Sequence, residues 1–329
     1  MKDSATAFRP VRVGVIGLGR FGRLHALTVM RLAEAELVAV VARRQASLDA
    51  FQRECPDVPA WTDLETAIDE SSAEAWIVAC STAEHVPVAE ALLHAGKTVL
   101  LEKPVANTLA EAERLTPHVK LDSSNLMIGH ILLFNSEFRA LQAEAASRGS
   151  LTFIDCVRHR PASIVHDFPG ENPLHAAMVH DLYCLQVLMN RAEPVHLNAQ
   201  YHRTSAGAID VAFAQLQWTD GPLAGCVASY TTPTGMAPRG FDRMEVFGIG
   251  WSARIAPNPR PIEVWDDQAR WPMALEIRTD ASGAVGMMAE EQRAFYRAVR
   301  GVAPIPLGAT FQDAMQVQRW LEELDRTAR

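Results

Sequence analysis

The feature that most constrains the fold is a glycine-rich turn between an apolar run and a helical pattern near the N-terminus. The run "VRVGVIG" (11–17) is rich in β-branched residues, and "GLGRFG" (17–22) leads from it directly into the helical pattern. In this G-x-G-x-x-G arrangement Gly17 permits a tight turn, Gly19 lets a pyrophosphate approach the backbone, and Gly22 lets the helix pack close to the strand. The helix N-terminus then faces the phosphates. The turn is therefore predicted to bind a dinucleotide through Gly17, Leu18, Gly19, Arg20, Phe21 and Gly22.

The glycine turn opens a series of alternating strands and helices. Further apolar runs predict strands at 36–42, 75–80, 98–104 and from 125 onward, and helical patterns lie between them, as at 86–95. Buried apolar strands that alternate with helices are typical of βαβ units and a parallel sheet. The sequence thus predicts a doubly wound α/β domain of the Rossmann type over residues 1–124. With 329 residues in all, the chain exceeds the usual limit of a single core, which is about 250–300 residues, and a second domain is predicted over 125–329.

The overall composition excludes several classes of partner. A formal net charge of −8 argues against a nucleic-acid surface, for which basic patches are expected. The apolar stretches are short and interrupted by charge, so none is predicted to span a membrane, and the start of the chain lacks the apolar run of a signal peptide. The five cysteines are scattered without a C-x-x-C pair, which favours reduced thiols. These features predict a cytoplasmic protein that binds a small molecule.

The end of the second predicted strand indicates which dinucleotide is bound. An acidic residue about 20 positions after the glycines binds the ribose 2′-hydroxyl of NAD. Ala42, Arg43 and Arg44 stand there instead. Paired guanidinium groups can bind a 2′-phosphate that a carboxylate would repel. The prediction is a preference for NADP(H), with NAD(H) as the alternative cofactor and a solvated strand end as the alternative role of the arginines.

Several short motifs resemble those of the Gfo/Idh/MocA oxidoreductases, the family of glucose–fructose oxidoreductase and inositol dehydrogenase. They are the glycine turn, "STAEH" (81–85), "AGK" (95–97), "EKP" (102–104), "GHILLFN" (129–135) and "EEQRAFYRAVRG" (290–301). The resemblance covers nearly the whole chain. It implies a C-terminal α+β domain with a large, open, mostly antiparallel sheet that mediates homodimers or homotetramers. Strand-like runs at 151–160, 195–203, 208–218, 224–232 and 243–250 support that domain, with closing helices expected at about 289–300 and 310–325.

The resemblance also implies an activity, which is reversible hydride transfer between a nicotinamide and a hydroxyl-bearing carbon of a sugar, cyclitol or sugar acid. Lys103 matches the active-site lysine of the family. An ammonium group beside a substrate oxygen polarises a carbonyl or stabilises a developing alkoxide. By the same resemblance the cofactor is predicted to be lined by Ser81, Thr82, His85, Glu102 and Lys103.

A second catalytic residue is expected in "HAAMVHDLYCL" (175–185), in a helix that Asn172 caps. The matching family motif is Asp-x-x-x-His, with histidine as the acid/base. His180 matches the histidine, whereas Ala176 stands where the aspartate belongs and shares a helix face with His180 at i and i+4. Asp181 points about 100° away around the helix. The helix thus retains the proton-transfer group without its usual carboxylate.

Three readings of this segment remain open. In the first, Lys103 and His180 suffice for catalysis, with a carboxylate from elsewhere, such as Asp155 or Asp167, replacing the lost one. In the second, the protein is a catalytically weak or inactive NADP(H)-binding sensor or partner-binding module. In the third, histidines and aspartates ligate a metal, although their spacing forms no known cage and no metal is expected. The metal candidates are His159, His166, Asp167, His175, His180 and Asp181.

Charged residues on the approach to this helix are candidate substrate contacts. Arg158 and Arg160 end a predicted strand, and His166 and Asp167 follow in the next loop with His159 nearby. A charged strand end in solvent is the alternative interpretation. The predicted substrate contacts are Lys103, Arg158, Arg160, His166, Asp167 and His180.

Overall fold

The apolar runs of the N-terminal part form one sheet in which each strand pairs in parallel with its neighbours. Its strands follow the order β3-β2-β1-β4-β5-β6, the order of a Rossmann fold. They are β1 (Val11–Ile16), β2 (Ala35–Val41), β3 (Ala60–Trp61), β4 (Ala75–Val78), β5 (Thr98–Glu102) and β6 (Leu126–Gly129). The computed structural model describes residues 9–167, 170–219, 221–233, 240–258, 260–261, 264–265, 269–270, 273–274, 277–280 and 283–328. Residues 1–8, on which the expectation about a signal peptide partly rests, lie outside that set.

The helices between these strands cover the sheet. Strand residues such as Val13, Val15, Ile77 and Leu100 are fully buried, as expected of parallel strands covered on both faces. The side chain of Asp63 accepts the backbone N–H of Thr66 and so caps one of the helices. The helices are α1 (Arg20–Val29), α2 (Gln45–Gln52), α3 (Leu64–Glu70), α4 (Thr82–His94) and α5 (Leu109–Glu113).

A second sheet follows, with the strand order β12-β11-β7-β10-β9-β8. Neighbouring strands are antiparallel except for the parallel pair β7–β10, so the predicted mostly antiparallel sheet is confirmed. The last strand, β12, extends the sheet beyond the five predicted runs. The elements are α6 (Ser136–Arg148), β7 (Leu151–Pro161), α7 (Ile164–Asp167), α8 (Val179–Leu188), β8 (His196–Arg203), β9 (Ile209–Gln217), β10 (Leu223–Thr232), β11 (Phe241–Gly248) and β12 (Trp251–Asn258).

Two helices and several short elements complete the described structure. The helices are α9 (Met287–Val299) and α10 (Phe311–Thr327). Single helical turns lie at Thr116–His118 and Ile131–Phe134, and a π-helix lies at Leu174–Met178. Short antiparallel pairs join Arg260–Pro261 to Met273–Ala274, Val264–Trp265 to Ala269–Arg270, and Ile277–Asp280 to Gly283–Gly286. Within the described ranges, no helix has both the length and the apolar composition required to cross a membrane.

The chain divides into two units, and their boundary differs from the predicted one. The first unit contains residues 1–131 and 277–315, and the second contains 132–276 and 316–329. A boundary at 124 would cut off β6, which pairs with β5. Helix α9, predicted to close the C-terminal domain, belongs to the first unit, where Met288 contacts Thr28 of α1. The first unit therefore contains two segments, 1–131 and 277–315, that are far apart in the sequence.

The second sheet has one buried face and one open face. Side chains alternate along its strands, so Ile154 and Ala214 are buried whereas their neighbours Phe153 and Phe213 are 40% and 37% exposed. Leu223 on β10 is also exposed, at 55%. Helix α8 lies on the buried face, because Arg158 of β7 reaches Asp181 of α8 there.

Candidate active site

The glycine turn has the geometry that its sequence predicts. Gly17 has φ +90°, and a Cβ at this position would lie 2.6 Å from the carbonyl oxygen of Ala79. A Cβ on Gly22 would lie 1.9 Å from the Gly17 carbonyl oxygen, so only glycine allows this approach of helix and turn. Gly19, at the N-cap of α1, would meet nothing within 4 Å. The turn therefore presents open backbone at a helix N-terminus, an arrangement that suits a pyrophosphate group.

The other turn residues and the two arginines after β2 differ in their surroundings. Leu18 and Arg44 line the same open cavity of about 360 Å³, while Arg20 is exposed at the start of α1 and Phe21 packs edge-on against His25. The remaining residues of the cavity are Arg23, Ala46, Ser47, Ala50, Phe51 and Glu54. Arg43 instead forms an exposed ion pair of 2.8 Å with Glu84 of α4. The two arginines thus have different surroundings, and Arg44 is the one beside the glycine turn.

The start of α4 lies after β4, next to β1 in the sheet. Ser81 is its N-cap residue and makes no side-chain capping bond, and Thr82 begins the helix. His85, by contrast, is buried and its Nδ1 donates to the carbonyl oxygen of Pro104 at 2.8 Å. Burial lowers the pKa of His85, so the ring is neutral. Ser81 and Thr82 are available to a ligand at this edge, whereas His85 holds the loop that follows β5.

Glu102 and Lys103 end β5 at the same edge of the sheet. Lys103 is half-buried, and its backbone N–H donates to Oε2 of Glu102 at 3.2 Å. The other oxygen, Oε1, lies 2.8 Å from Nε2 of His25 on α1. Only 6% of Glu102 is exposed, so this carboxylate faces the interior of the unit. In open α/β sheets, ligands bind at the carboxyl ends of the strands, which is where Lys103 and the glycine turn lie.

In the second unit, His180 lies in the first turn of α8, just after the π-helix. The side chain of Asn172 accepts the Leu174 N–H at 2.9 Å, as its predicted capping role requires. The π-helix contains Ala176. The shared face of Ala176 and His180 stays a prediction, and alanine offers no side-chain hydrogen bond to the imidazole.

The partner of His180 is Tyr183, one turn later. Nδ1 of His180 lies 2.6 Å from the Tyr183 hydroxyl, which also accepts the backbone N–H of Leu132 at 3.1 Å. Tyr183 is fully buried, so this hydroxyl is a fixed partner for the imidazole. The family motif does not indicate this partner, because it places a carboxylate beside the histidine. The available signal was a tyrosine at i+3, the other spacing that shares a helix face.

Arg158 and Asp181 hold β7 and α8 together. Nε of Arg158 donates to Asp181 at 2.8 Å, and Nη1 donates to Asp242 of β11 at 3.0 Å. Arg158 is 3% exposed and Asp181 is 1% exposed. Burial raises the pKa of Asp181 to about 6, and the Arg158 guanidinium opposes that shift. Arg158 therefore has a structural role, and this burial speaks against the substrate contact predicted for it.

Three further candidate substrate contacts are exposed to different extents. Arg160 forms a bidentate pair with Asp242, at 2.6 and 3.0 Å, and its side chain is 22% exposed. His166 and Asp167 are exposed on α7 and lie 3.4 Å apart. Asp155, one of the proposed replacement carboxylates, pairs with Arg243 on the open face of the sheet, away from α8. Arg160, His166 and Asp167 retain exposed polar atoms.

The histidines considered as metal ligands each have their own polar neighbour. His159 lies 2.6 Å from Ser229, and His175 bonds to Asp325. In the described part of the chain, the group with ligand atoms close enough for an ion is a different one, formed by His25, Glu102 and Glu291.

An open glycine turn at a helix N-terminus, on a sheet of Rossmann order, defines the first unit as a dinucleotide-binding domain. Residues 11–130 match the Gfo/Idh/MocA family model, described as an oxidoreductase family with an NAD-binding Rossmann fold. This part of the chain is similar to that family, and the predicted resemblance is confirmed.

Known proteins similar to the chain include several inositol dehydrogenases. The chain is 33% identical to inositol 2-dehydrogenase 1 of Saccharopolyspora erythraea over 205 residues, 60% of each chain. It is 28% identical to myo-inositol 2-dehydrogenase of Thermotoga maritima over 254 residues, 72% of this chain and 73% of the relative. Matches to two further inositol 2-dehydrogenases span 51% and 54% of their lengths, about half.

The fold of both units also occurs in solved structures. The scyllo-inositol dehydrogenase of Lactobacillus casei with bound NAD(H) and scyllo-inositol aligns with a TM-score of 0.80, covering 97% of each chain at 19% identity. This similarity establishes the fold of the chain from the Rossmann sheet through the second sheet.

Proposed function

We propose that the protein is an NAD(P)-dependent dehydrogenase or reductase that acts on a CH–OH group of a cyclitol or sugar-like substrate. The observation that carries this proposal is the edge of the first sheet at the carboxyl ends of its strands. The open turn at Gly19 follows β1 there, and the half-buried Lys103 follows β5. A cofactor whose pyrophosphate binds at the turn extends along the carboxyl ends of the strands. Its nicotinamide end then needs a group such as Lys103 to polarise the reacting oxygen.

The proposed substrate class is a cyclitol, with sugars and sugar acids as the wider set. Inositol is the substrate in the names of the relatives from Saccharopolyspora and Thermotoga. Arg160, His166 and Asp167 remain proposed substrate contacts because each retains exposed polar atoms. Asp167 is also the remaining proposed replacement carboxylate, since Asp155 is paired on the open face.

His180 is the proposed acid/base that exchanges a proton with the substrate hydroxyl. The Tyr183 hydroxyl fixes its ring through Nδ1, and Nε2 is the nitrogen proposed to exchange the proton. A hydroxyl either donates to Nδ1 or accepts from it, so this bond persists in both protonation states of the imidazole. A carboxylate at position 176 is therefore not required to orient His180.

The test is turnover of NADH, NAD⁺, NADPH and NADP⁺ with a panel of inositols, aldoses, ketoses and sugar acids. We expect turnover with at least one cyclitol or sugar and its loss in both Lys103→Ala and His180→Ala. Tight cofactor binding without turnover across the panel would instead support the inactive sensor. The relatives named above are dehydrogenases by name, and none favours the sensor.

We propose NADP(H) as the preferred cofactor, with Arg44 as the main contact to its 2′-phosphate. Arg44 lines the cavity beside Leu18 of the glycine turn, whereas Arg43 already has Glu84 as a partner. A charge-assisted hydrogen bond contributes about 1.5–3 kcal/mol, equivalent to roughly 10- to 100-fold in affinity. Arg44→Ala should therefore weaken NADPH binding by that factor and leave NADH binding unchanged. Equal losses for both cofactors would contradict the preference.

The proposed assembly is a homodimer or homotetramer through the open face of the second sheet. Phe153, Phe213 and Leu223 are exposed on that face, and contiguous apolar patches mark interaction sites. Light scattering should detect an oligomer that Phe213→Asp weakens; a wild-type monomer would refute the assembly. The proposed compartment is the cytoplasm, in accord with the free cysteines of the described structure.

A further inference from the structure

A buried polar cluster lies behind Lys103 in the first unit. His25 of α1, Glu102 of β5 and Glu291 of α9 present ligand-type atoms that all lie within 4.8 Å of one another. His25 and Glu291 are fully buried, and Glu102 is nearly so. Buried carboxyl groups are costly unless they are paired, hydrogen-bonded or neutral. The stability of this cluster therefore depends on which of its groups carry a proton.

The neighbour Gln292 fixes the proton position on His25. Its Nε2 lies 3.1 Å from the His25 carbonyl oxygen and 3.1 Å from Nδ1 of the same residue, and its Oε1 accepts the Tyr296 hydroxyl at 2.9 Å. The carbonyl oxygen only accepts, so Nε2 of Gln292 is the donor, and its second N–H donates to Nδ1. Nδ1 of His25 therefore lacks a proton. The proton is on Nε2, and this N–H donates a hydrogen bond to Oε1 of Glu102. The same protonated Nε2 cannot ligate a metal ion.

Glu291 has no hydrogen-bond partner among the described residues for either carboxyl oxygen. Burial, and then the charge of Glu102, raise its pKa well above the ordinary value. No imidazolium is available to balance a second charge, because burial lowers the pKa of His130 to about 4 and also lowers that of His85. Two carboxylates at this separation in a buried site do not both ionise.

We propose that His25, Glu102 and Glu291 form a buried positioning triad behind Lys103, in which Glu102 carries the only charge and Glu291 is a protonated carboxylic acid. The groups that face Glu102 are His25 from α1, His85 from α4, Lys103, His130 after β6, with Asp313 near His130, and Glu291 from α9. Its carboxylate accepts the Lys103 N–H and so fixes the backbone from which the lysine side chain extends. The effect on Lys103 rests on the proposed function; the charge states do not.

The charge of Glu291 is tested without substrate by comparing Glu291→Gln with the wild type in thermal unfolding between pH 5 and 8. A folded-state pKa raised above its unfolded value means that the native state binds the extra proton, so its stabilisation is lost as pH rises above about 4.5. The amide carries no such proton. The Tm of Glu291→Gln minus that of the wild type should therefore increase with pH. A constant or falling difference would overturn the proposal.

The matched control is Glu290→Gln, which removes an exposed carboxylate of α9 that pairs with Arg293. We expect no rising difference for this variant, and an equal rise in both variants would overturn the assignment to Glu291. If Glu291→Gln does not fold, infrared absorption of wild-type protein at pH 8 answers the same question. A protonated-carboxyl band at that pH supports the proposal, and its absence refutes it. A stoichiometric divalent ion in the purified protein, measured by elemental analysis, also refutes it.

The positioning role is tested by the pH dependence of kcat/KM. Glu102→Gln removes the charge beside Lys103 and should shift the alkaline limb of the profile to lower pH, whereas Glu291→Gln exchanges one neutral group for another and should not. A limb that shifts equally in both variants would refute the single-charge arrangement. If the wild type turns over no substrate, the proposed function fails while the unfolding and infrared results still decide the charge states.

Discussion

Tyr183→Phe is the substitution that best distinguishes an active site in which His180 transfers a proton from a catalytically inactive protein. It removes one hydroxyl and nothing else, but that hydroxyl has two partners, Nδ1 of His180 and the N–H of Leu132. A buried N–H left without an acceptor costs about 1–3 kcal/mol. At roughly 2–4 °C per kcal/mol for a unit of this size, Tm should fall by roughly 2–12 °C. The imidazole also loses its orienting bond.

The activity loss follows from the role of His180. A general acid or base contributes about 100- to 10,000-fold to the rate, and loss of orientation alone should cost a part of that, roughly 10- to 100-fold in kcat. The assay is steady-state turnover of wild type, Tyr183→Phe, His180→Ala and the double variant, at a temperature where circular dichroism shows all four folded. If Tyr183 acts only through His180, it has no further effect once His180 is absent.

The matched control is Tyr201→Phe. It removes another tyrosine hydroxyl of the same unit, which bonds to Asp325 rather than to a proposed catalytic group. We expect it to change Tm without lowering kcat. Independent, additive losses in the double variant of Tyr183 and His180 would refute the reasoning, as would a kcat for Tyr183→Phe equal to that of the wild type.

Four further substitutions test other parts of the structure. Arg158→Met leaves Asp181 as a buried carboxylate without its guanidinium, and breaking such a pair costs about 3–5 kcal/mol, measurable as a lower Tm. Gly19→Ala should fold normally but lose cofactor affinity in titration calorimetry, because its methyl group enters the open space over the turn, whereas Gly22→Ala should lose stability as well. Ala176→Asp should alter kcat/KM less than Tyr183→Phe does, since the Tyr183 hydroxyl already orients the imidazole through Nδ1; a larger effect would show that a carboxylate at 176 governs the orientation of His180.

The first sheet could be predicted from the sequence because its signals are local. Each parallel strand is a continuous apolar run, and the spacing of the three glycines is a contiguous pattern directly after the first of these runs. The assignment of α9 to the first unit depends instead on contacts between residues far apart in sequence, such as Thr28 and Met288. The parallel pairing of β7 with β10 likewise joins strands about 70 residues apart, and alternation within a strand does not specify its neighbour.

The sequence predicts candidate site residues that belong to a recognisable motif. It does not predict which side chains pair with them or with their neighbours in the fold. Lys103 and His180 follow from the motif resemblance. The sequence predicts Arg158 as a substrate contact from its place on the approach to the helix of His180; only the fold brings Asp181 and Asp242 to its guanidinium.

The hydrogen bond that the missing aspartate would make to His180 is made by a residue further along the helix. Positions three or four apart share a helix face, and the alanine at 176 offers the imidazole no side-chain hydrogen bond. The π-helix at Leu174–Met178 ends just before α8, so the backbone from His180 onward is α-helical. The α-helical turn after His180 is regular, and the first aligned position that it offers is 183. A partner at i+3 is therefore the arrangement that this backbone supports, and the tyrosine supplies it while its hydroxyl also satisfies the buried N–H of Leu132.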